Sequence, residues 1–233
     1  MAARKIITQT TGDLTGDGIP EIIRLTGFQE PGSIAWQGIR LQIQDGASCL
    51  ETRIALPEDA GYDPRLFVGS LTEAGSQDVL VSIASGGSGG LGYYTIYTFT
   101  DGAYKLIFDT KSYNAAFPYI VTYLDHYVVR AESLMNRTVY LIDLADRDPA
   151  YLSQIYQSDG TLKAPVSGGV NPLSVLLPAD FDGDGVYELL AYQRITGLYN
   201  ADGLGDFINT LSWDGRVFGL FNQTVGIFGT EAK

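Results

Sequence analysis

Asp180-Phe181-Asp182-Gly183-Asp184-Gly185-Val186-Tyr187-Glu188 sets carboxylates at alternate positions, follows them with a glycine and ends on a fourth acid. Near the other end of the chain, Asp13-Leu14-Thr15-Gly16-Asp17-Gly18-Ile19-Pro20-Glu21 repeats the spacing imperfectly. Hard cations such as Ca2+ take six to eight oxygens at about 2.3–2.6 Å, and one tight loop of this spacing supplies most of them. The expected ligands of the later loop are Asp180, Asp182, Asp184, the backbone carbonyl of Val186, and Glu188. Those of the earlier loop are Asp13, Thr15, Asp17, the carbonyl of Ile19, and Glu21. Two Ca2+ ions in structural roles are expected, with the later loop tighter because it carries more carboxylates. An EF-hand is excluded, since its twelfth-position Glu would fall at Ala191 or Arg24 and both flanks read as strands.

The two loops begin 167 residues apart, which invites a search for copies between them. A step of 57 from Asp13 reaches Ser70, in Phe67-Val-Gly-Ser70-Leu-Thr72-Glu-Ala74-Gly75-Ser-Gln-Asp78, where Ser70 and Ala74 replace two ligands. A further 55 reaches Asp125, where the loop has shrunk to a turn between two strand-like runs and no metal is expected. Each unit has a second half that reads strand, turn, strand. Its turns are Asp45-Gly46, Asp101-Gly102 and Asp214-Gly215, and Asp-Gly between alternating apolar runs is a strong hairpin signal. The third unit departs from this, and Arg147 to Tyr156 reads as holding a helical turn. Four units of four short strands predict an all-β, single-domain, four-bladed β-propeller, with repeats at about 5–62, 63–117, 118–172 and 173–233. An open β-solenoid or a sandwich is the alternative. No polar caps are evident at either end, so the terminal strands are expected to meet and close the ring.

The motif Asp-x-[Asp/Asn/Thr]-x-Asp-Gly-x-x-[Asp/Glu] ahead of a strand resembles the FG-GAP/VCBS repeats, whose loops integrin α-chain propellers carry. The resemblance covers the whole chain as architecture but only two repeats as metal ligands. Thr15 stands where Asp or Asn is usual, both ninth positions are Glu, and the Phe-Gly and Gly-Ala-Pro signatures are not evident. A seven-blade count therefore does not carry over. The Ser-Gly-Gly-Ser-Gly-Gly stretch also resembles small VCBS-repeat proteins of spore-forming bacteria.

Composition narrows the function classes. The net charge of −12 argues against nucleic acid and against anionic membranes, which need clustered Lys and Arg. A single cysteine, Cys49, rules out an intramolecular disulfide. Neither a signal peptide nor a membrane-spanning run is read, so a cytoplasmic place is the default; spore association or non-classical export is the alternative. His126, the one histidine, sits in a turn, and the glycine run from Ser85 lacks the Lys of a phosphate loop.

The longest irregular segments carry Phe28, Trp36, Tyr93, Tyr94, Tyr199, Asp202 and Asp206, and are expected to share the face opposite the acidic loops. Aromatics with acids and amides suit a protein or glycan contact surface. The expected function is a non-enzymatic, calcium-binding propeller acting as a protein-binding or assembly module. A lectin-like module is the alternative, and a glycoside-active enzyme using Asp202 and Asp206 is a third reading.

Overall fold

The computed structural model describes residues 3–87 and 89–229. Its strands form four antiparallel sheets, each from consecutive segments. The first sheet orders β1 (Lys5–Gly12), β2 (Glu21–Gln29), β3 (Trp36–Gln44) and β4 (Glu51–Ala55) as a simple meander. The second does the same with β5 (Tyr62–Gly69), β6 (Asp78–Ala84), β7 (Gly92–Thr100) and β8 (Ala103–Asp109). The third sheet has three strands, β9 (Tyr119–Leu124), β10 (Val128–Ser133) and β11 (Thr138–Asp143). The fourth has five: β12 (Gly169–Val170), β13 (Val175–Ala179), β14 (Glu188–Thr196), β15 (Gly203–Trp213) and β16 (Phe218–Gly226). Both β12 and β13 pair with β14, one after the other along it.

The expected hairpins are present, but only Asp101-Gly102 turns for the expected reason; at Asp45-Gly46 neither residue has positive φ and the left-handed position falls at Cys49 (62°). At Asp101-Gly102 both residues have positive φ (54° and 75°), the backbone of a tight hairpin turn that matches strand twist. Two short helices interrupt the strands. α1 (Thr110–Ala116) is capped by Asp109, whose Oδ1 accepts from Ser112 N at 2.8 Å. α2 (Pro149–Ile155) is capped by Asp148 with Pro149 in its first turn, and it falls where a helical turn is expected.

The sheets do not follow one another in space as they do in sequence. Val79, Val81 and Ile83 of β6 pack on the first sheet, against Ile23 and Leu25 of β2 and Ile39, Leu41 and Ile43 of β3. Leu80 on the other face of β6, with Ile96 and Phe108, packs on Leu176, Leu189 and Leu211 of the fourth sheet. The third sheet packs on the fourth through Val121, Tyr123, Val129 and Ala131 against Ile195, Leu204 and Phe207. The order is therefore first, second, fourth, third. Leu189, Ala191 and Ile195 lie on one face of β14, as Phe207 and Leu211 do on β15, so one face of the fourth sheet covers two partners. Its eleven-residue strand β15 reaches about 35 Å, long enough to do so.

This corrects the propeller expectation. Consecutive blades would set the third sheet between the second and the fourth, whereas those two share a core directly. Among the described residues β1 pairs only with β2 and β16 only with β15, so the terminal strands do not close a ring. The third unit lacks a fourth strand, and α2 stands in its place.

Candidate metal centre

The Asp180–Glu188 loop joins β13 to β14. Gly183 and Gly185 have φ of 76° and 87°, which glycine adopts without strain and which let the chain reverse within the loop. The reversal turns its amides inward. Asp180 accepts from Gly183 N (2.7 Å) and Gly185 N (3.1 Å), Asp182 from Asp184 N (3.2 Å) and Asp184 from Val186 N (2.7 Å). One carboxylate oxygen each from Asp180, Asp182 and Asp184 thereby lies within 4.8 Å of the others. At that separation each pair repels by about 1 kcal/mol in bulk water and about 3–4 kcal/mol at an effective dielectric of 20. The donor set is oxygen alone, the chemistry of hard cations rather than of zinc or copper.

The Asp13–Glu21 loop has the same backbone device. Asp13 accepts from Gly16 N (2.8 Å) and Gly18 N (2.9 Å), and Asp17 from Ile19 N (2.8 Å). Its acids do not converge in the same way, and among the described residues Asp180, Asp182 and Asp184 form the one such cluster. Glu21 is fully buried and clamps the turn: its Oε2 accepts from Leu14 N at 2.6 Å, and its Oε1 lies 3.5 Å from the Thr15 hydroxyl. The Ile19 carbonyl lies against Gly46, where an added Cβ would come within 2.9 Å of it.

The clamp recurs, and the loop spacing alone does not reveal it. Glu188 Oε2 accepts from Phe181 N (3.2 Å), and Asp78 Oδ2 accepts from Leu71 N and Thr72 N (both 2.9 Å). All three loops keep an acid at the head of the next strand, including the one that lost its other ligands. That persistence is the signal in the sequence. Asp78 is fully buried, and its Oδ1 has no hydrogen bond at normal geometry. Burial raises its carboxyl above the usual range, and the nearby Thr98 hydroxyl offsets part of that rise.

The three loops also touch. Asp13 N donates to Gln77 Oε1 (2.9 Å), and Gln77 N donates to Asp13 O (3.3 Å). Tyr187 N donates to Ser70 O (2.8 Å), and the Tyr187 ring meets Phe67 edge-on at 5.2 Å. The row first loop, second loop, fourth loop thus stitches three sheets together at one end.

The expected contact face is largely interior. Tyr94 is buried, with its hydroxyl donating to Ser174 O at 2.9 Å across the second and fourth sheets. Trp36 and Tyr93 pack against the core between the first two sheets. Asp202 is buried, and its Oδ2 accepts from the Tyr151 hydroxyl and from Leu198 N, both at 2.8 Å. Burial, with Tyr123 and Asp202 alongside, pushes the Tyr151 phenol up. Asp206 is half-buried; burial raises its carboxyl and Arg194 draws it back. Phe28 lies under the Arg4 guanidinium at 4.3 Å yet stays 36% exposed, and Tyr199 is the more exposed aromatic of the set, at 61%. Phe28, Trp36, Tyr93, Tyr94 and Asp206 lie within β2, β3, β7 and β15 rather than in irregular connections, so sheet packing decides their burial; only Tyr199 and Asp202 lie between strands. His126 N donates to Gly160 O (2.7 Å) within a turn, and Cys49 is exposed and free. Ser88 of the glycine run, and Met1 and Ala2 of the leader reading, lie outside the described residues. Among those residues no helix is long and apolar enough to cross a membrane.

Comparison with known proteins replaces the FG-GAP/VCBS resemblance. The family that matches is the YybI C-terminal domain, over residues 117–226, which run from just before β9 to the end of β16. The loop motif is short, and a tight acidic turn ahead of a strand can arise outside the family that carries it as a repeat. No solved structure matches the chain. The uncharacterized protein YybI of Bacillus subtilis (strain 168) is 45% identical over 231 residues, covering 99% of this chain and 88% of that protein. On that near-complete coverage, the chain belongs to the YybI family.

Proposed function

We propose that this protein is a calcium-braced, non-enzymatic β-sheet module that serves in protein binding or assembly. The observation that carries the reading is the convergence of Asp180, Asp182 and Asp184 in an exposed loop of oxygen donors. With Glu188 Oε1 and the Val186 carbonyl added, the donor count approaches what Ca2+ takes. The ion would relieve the mutual repulsion of the acids. Because Tyr187 in this loop is bonded to Ser70, it would also fix the fourth sheet against the second. The Asp13–Glu21 loop is the weaker second site, with Glu21 already engaged as a clamp.

The non-catalytic part rests on how the other acids are used. Asp202 is held by a tyrosine hydroxyl and a backbone amide, so the pair of free carboxylates that glycoside cleavage needs is not available from Asp202 and Asp206. A glycan-binding reading keeps one supporting observation: exposed Tyr199 adjoins Asn200, whose amide oxygen accepts from Asn171 at 2.7 Å. Titration calorimetry with CaCl2 tests the main proposal. Binding heat that disappears in Asp182→Asn supports it, and no heat at millimolar Ca2+ refutes it. A glycan array decides the secondary reading.

A further inference from the structure

Among the described residues β16 is a free edge of the fourth sheet, and apart from a bulge at Phe221 it lacks the devices that keep edges from pairing. From Val217 to Gly229 there is no charged residue and no proline. The other long open edges among the described residues are guarded. β1 carries Lys5, β4 carries Glu51 and Arg53, β5 carries Asp63, Pro64 and Arg65, β8 carries Lys105, β11 carries Asp143, and β13 carries Pro178. The open side of β9 is taken by the segment at Val166–Gly168, through Tyr123 N to Val166 O and Gly168 N to Val121 O.

Beside β16 lies an apolar cleft of about 500 Å3 between β8 and β16, floored by Tyr113 and Phe117 of α1 and its cap. Exposed Leu106, Met135 and Val217 form its rim. Phe221 stands at the strand's bulge, 74% exposed. Gly219, two residues earlier, has open space where a side chain would be. A projecting aromatic and a vacant glycine on one short stretch of edge are self-complementary, as a two-fold interface requires.

We propose that two copies of this chain associate through β16, antiparallel, about a two-fold axis near Leu220. That axis sets Phe221 of each copy over Gly219 of the other, so the ring covers backbone that no side chain shields. The partner is a second copy because the stretch is complementary to itself, Phe221 projecting where Gly219 is vacant, and because its lack of charge makes it a place where like-charged copies can meet. At −12 per chain, copies repel, and they approach at low cost only where no acid is buried unpaired. The pairing spans Phe218–Asn222, since the next carbonyl, Gln223 O, is taken by the Tyr140 hydroxyl at 2.9 Å.

Sedimentation of the full chain, at rising concentration and in EDTA, tests this independently of any metal. The expected result is a monomer–dimer equilibrium that tightens with added salt as acid repulsion is screened. Phe221→Lys should weaken it by about tenfold or more, and Asn222→Lys, at an exposed position on the same edge, should act likewise. Leu141→Lys, on the exposed face of the third sheet, should leave it unchanged. Melting curves show that each variant folds. A wild-type chain that stays monomeric at high micromolar concentration overturns the proposal. So do dimers indifferent to both lysines, or a monomer that instead captures an unrelated extended peptide at this edge.

Discussion

Replacing Asn209 with Leu should test the order of the sheets more directly than any surface change. Asn209 is fully buried on β15, where the fourth sheet leaves the second and begins to cover the third. Its Nδ2 donates to the hydroxyls of Tyr113 (2.6 Å) and Tyr119 (2.8 Å), and its Oδ1 accepts from Gln223 Nε2 (2.7 Å). Those partners come from α1, β9 and β16, so the three bonds exist together only in this packing. Leu keeps the branched shape of Asn but is bulkier, so overpacking at this fully buried site adds to the polar loss. Tyr119 keeps its bond to Gln193 (3.0 Å) and Gln223 keeps Ser133 (3.2 Å), while the Tyr113 hydroxyl is stranded. One orphaned buried group costs about 1–3 kcal/mol, and two bonds lost from groups that retain another cost about 0.5–1.5 kcal/mol each. The sum is about 2–6 kcal/mol. For a chain of this size each kcal/mol lowers Tm by about 2–4 °C, so the melting point should fall by roughly 5–20 °C. Calorimetric or circular-dichroism melts measure it. Adding Tyr113→Phe to Asn209→Leu removes the stranded hydroxyl and should recover part of the loss, because deleting both partners is cheaper than deleting one. A loss below about 1 kcal/mol, or a double variant worse than the single one, would refute the reasoning.

Three other outcomes follow from the same contacts. Ca2+ at a hundredfold excess over Kd should add about 2.7 kcal/mol, or roughly 5–11 °C in Tm, and Asp182→Asn should lose that gain while keeping its fold; an unchanged calcium response sinks the site. Asp78 has its folded-state value raised above the ordinary 3.8, so the folded chain binds this proton more tightly than the unfolded one. The stability it contributes is complete below that ordinary value and is lost as pH rises through the raised one. Asp78→Asn should therefore gain on the wild type in melts taken from about pH 4 upward to about pH 8, and parallel curves would count against it. Tyr94→Phe removes the hydroxyl bonded to Ser174 O and should cost about 1 kcal/mol, or about 2–4 °C; a neutral result would mean that this bond does not tie the two sheets.

The hairpins, the acidic loops and the α2 turn were legible because each is written in a few neighbouring residues. Asp101-Gly102 dictates its turn through φ, and alternate apolar residues such as Ile39, Leu41 and Ile43 dictate which side of β3 faces in. The loop spacing was equally local, and the inward amides of Gly183 and Gly185 follow from it. What the spacing could not show is that Glu21 and Asp78 are buried clamps, because burial depends on what the rest of the chain lays over them. For the same reason Tyr94 and Asp202 read as surface candidates and are interior.

The sequence by itself determined the strands, their turns and the position of the three-acid cluster, since these depend on backbone preference and side-chain alternation over short distances. Only the tertiary structure decided that the second sheet packs on the fourth, that the third lies beyond it, and that β16 is left as an open edge. Apolar burial between sheets is non-directional, so one alternating face reads much like another. The choice among them is made by the length of β14 and β15, the lost fourth strand of the third unit, and the partners that Asn209 can satisfy.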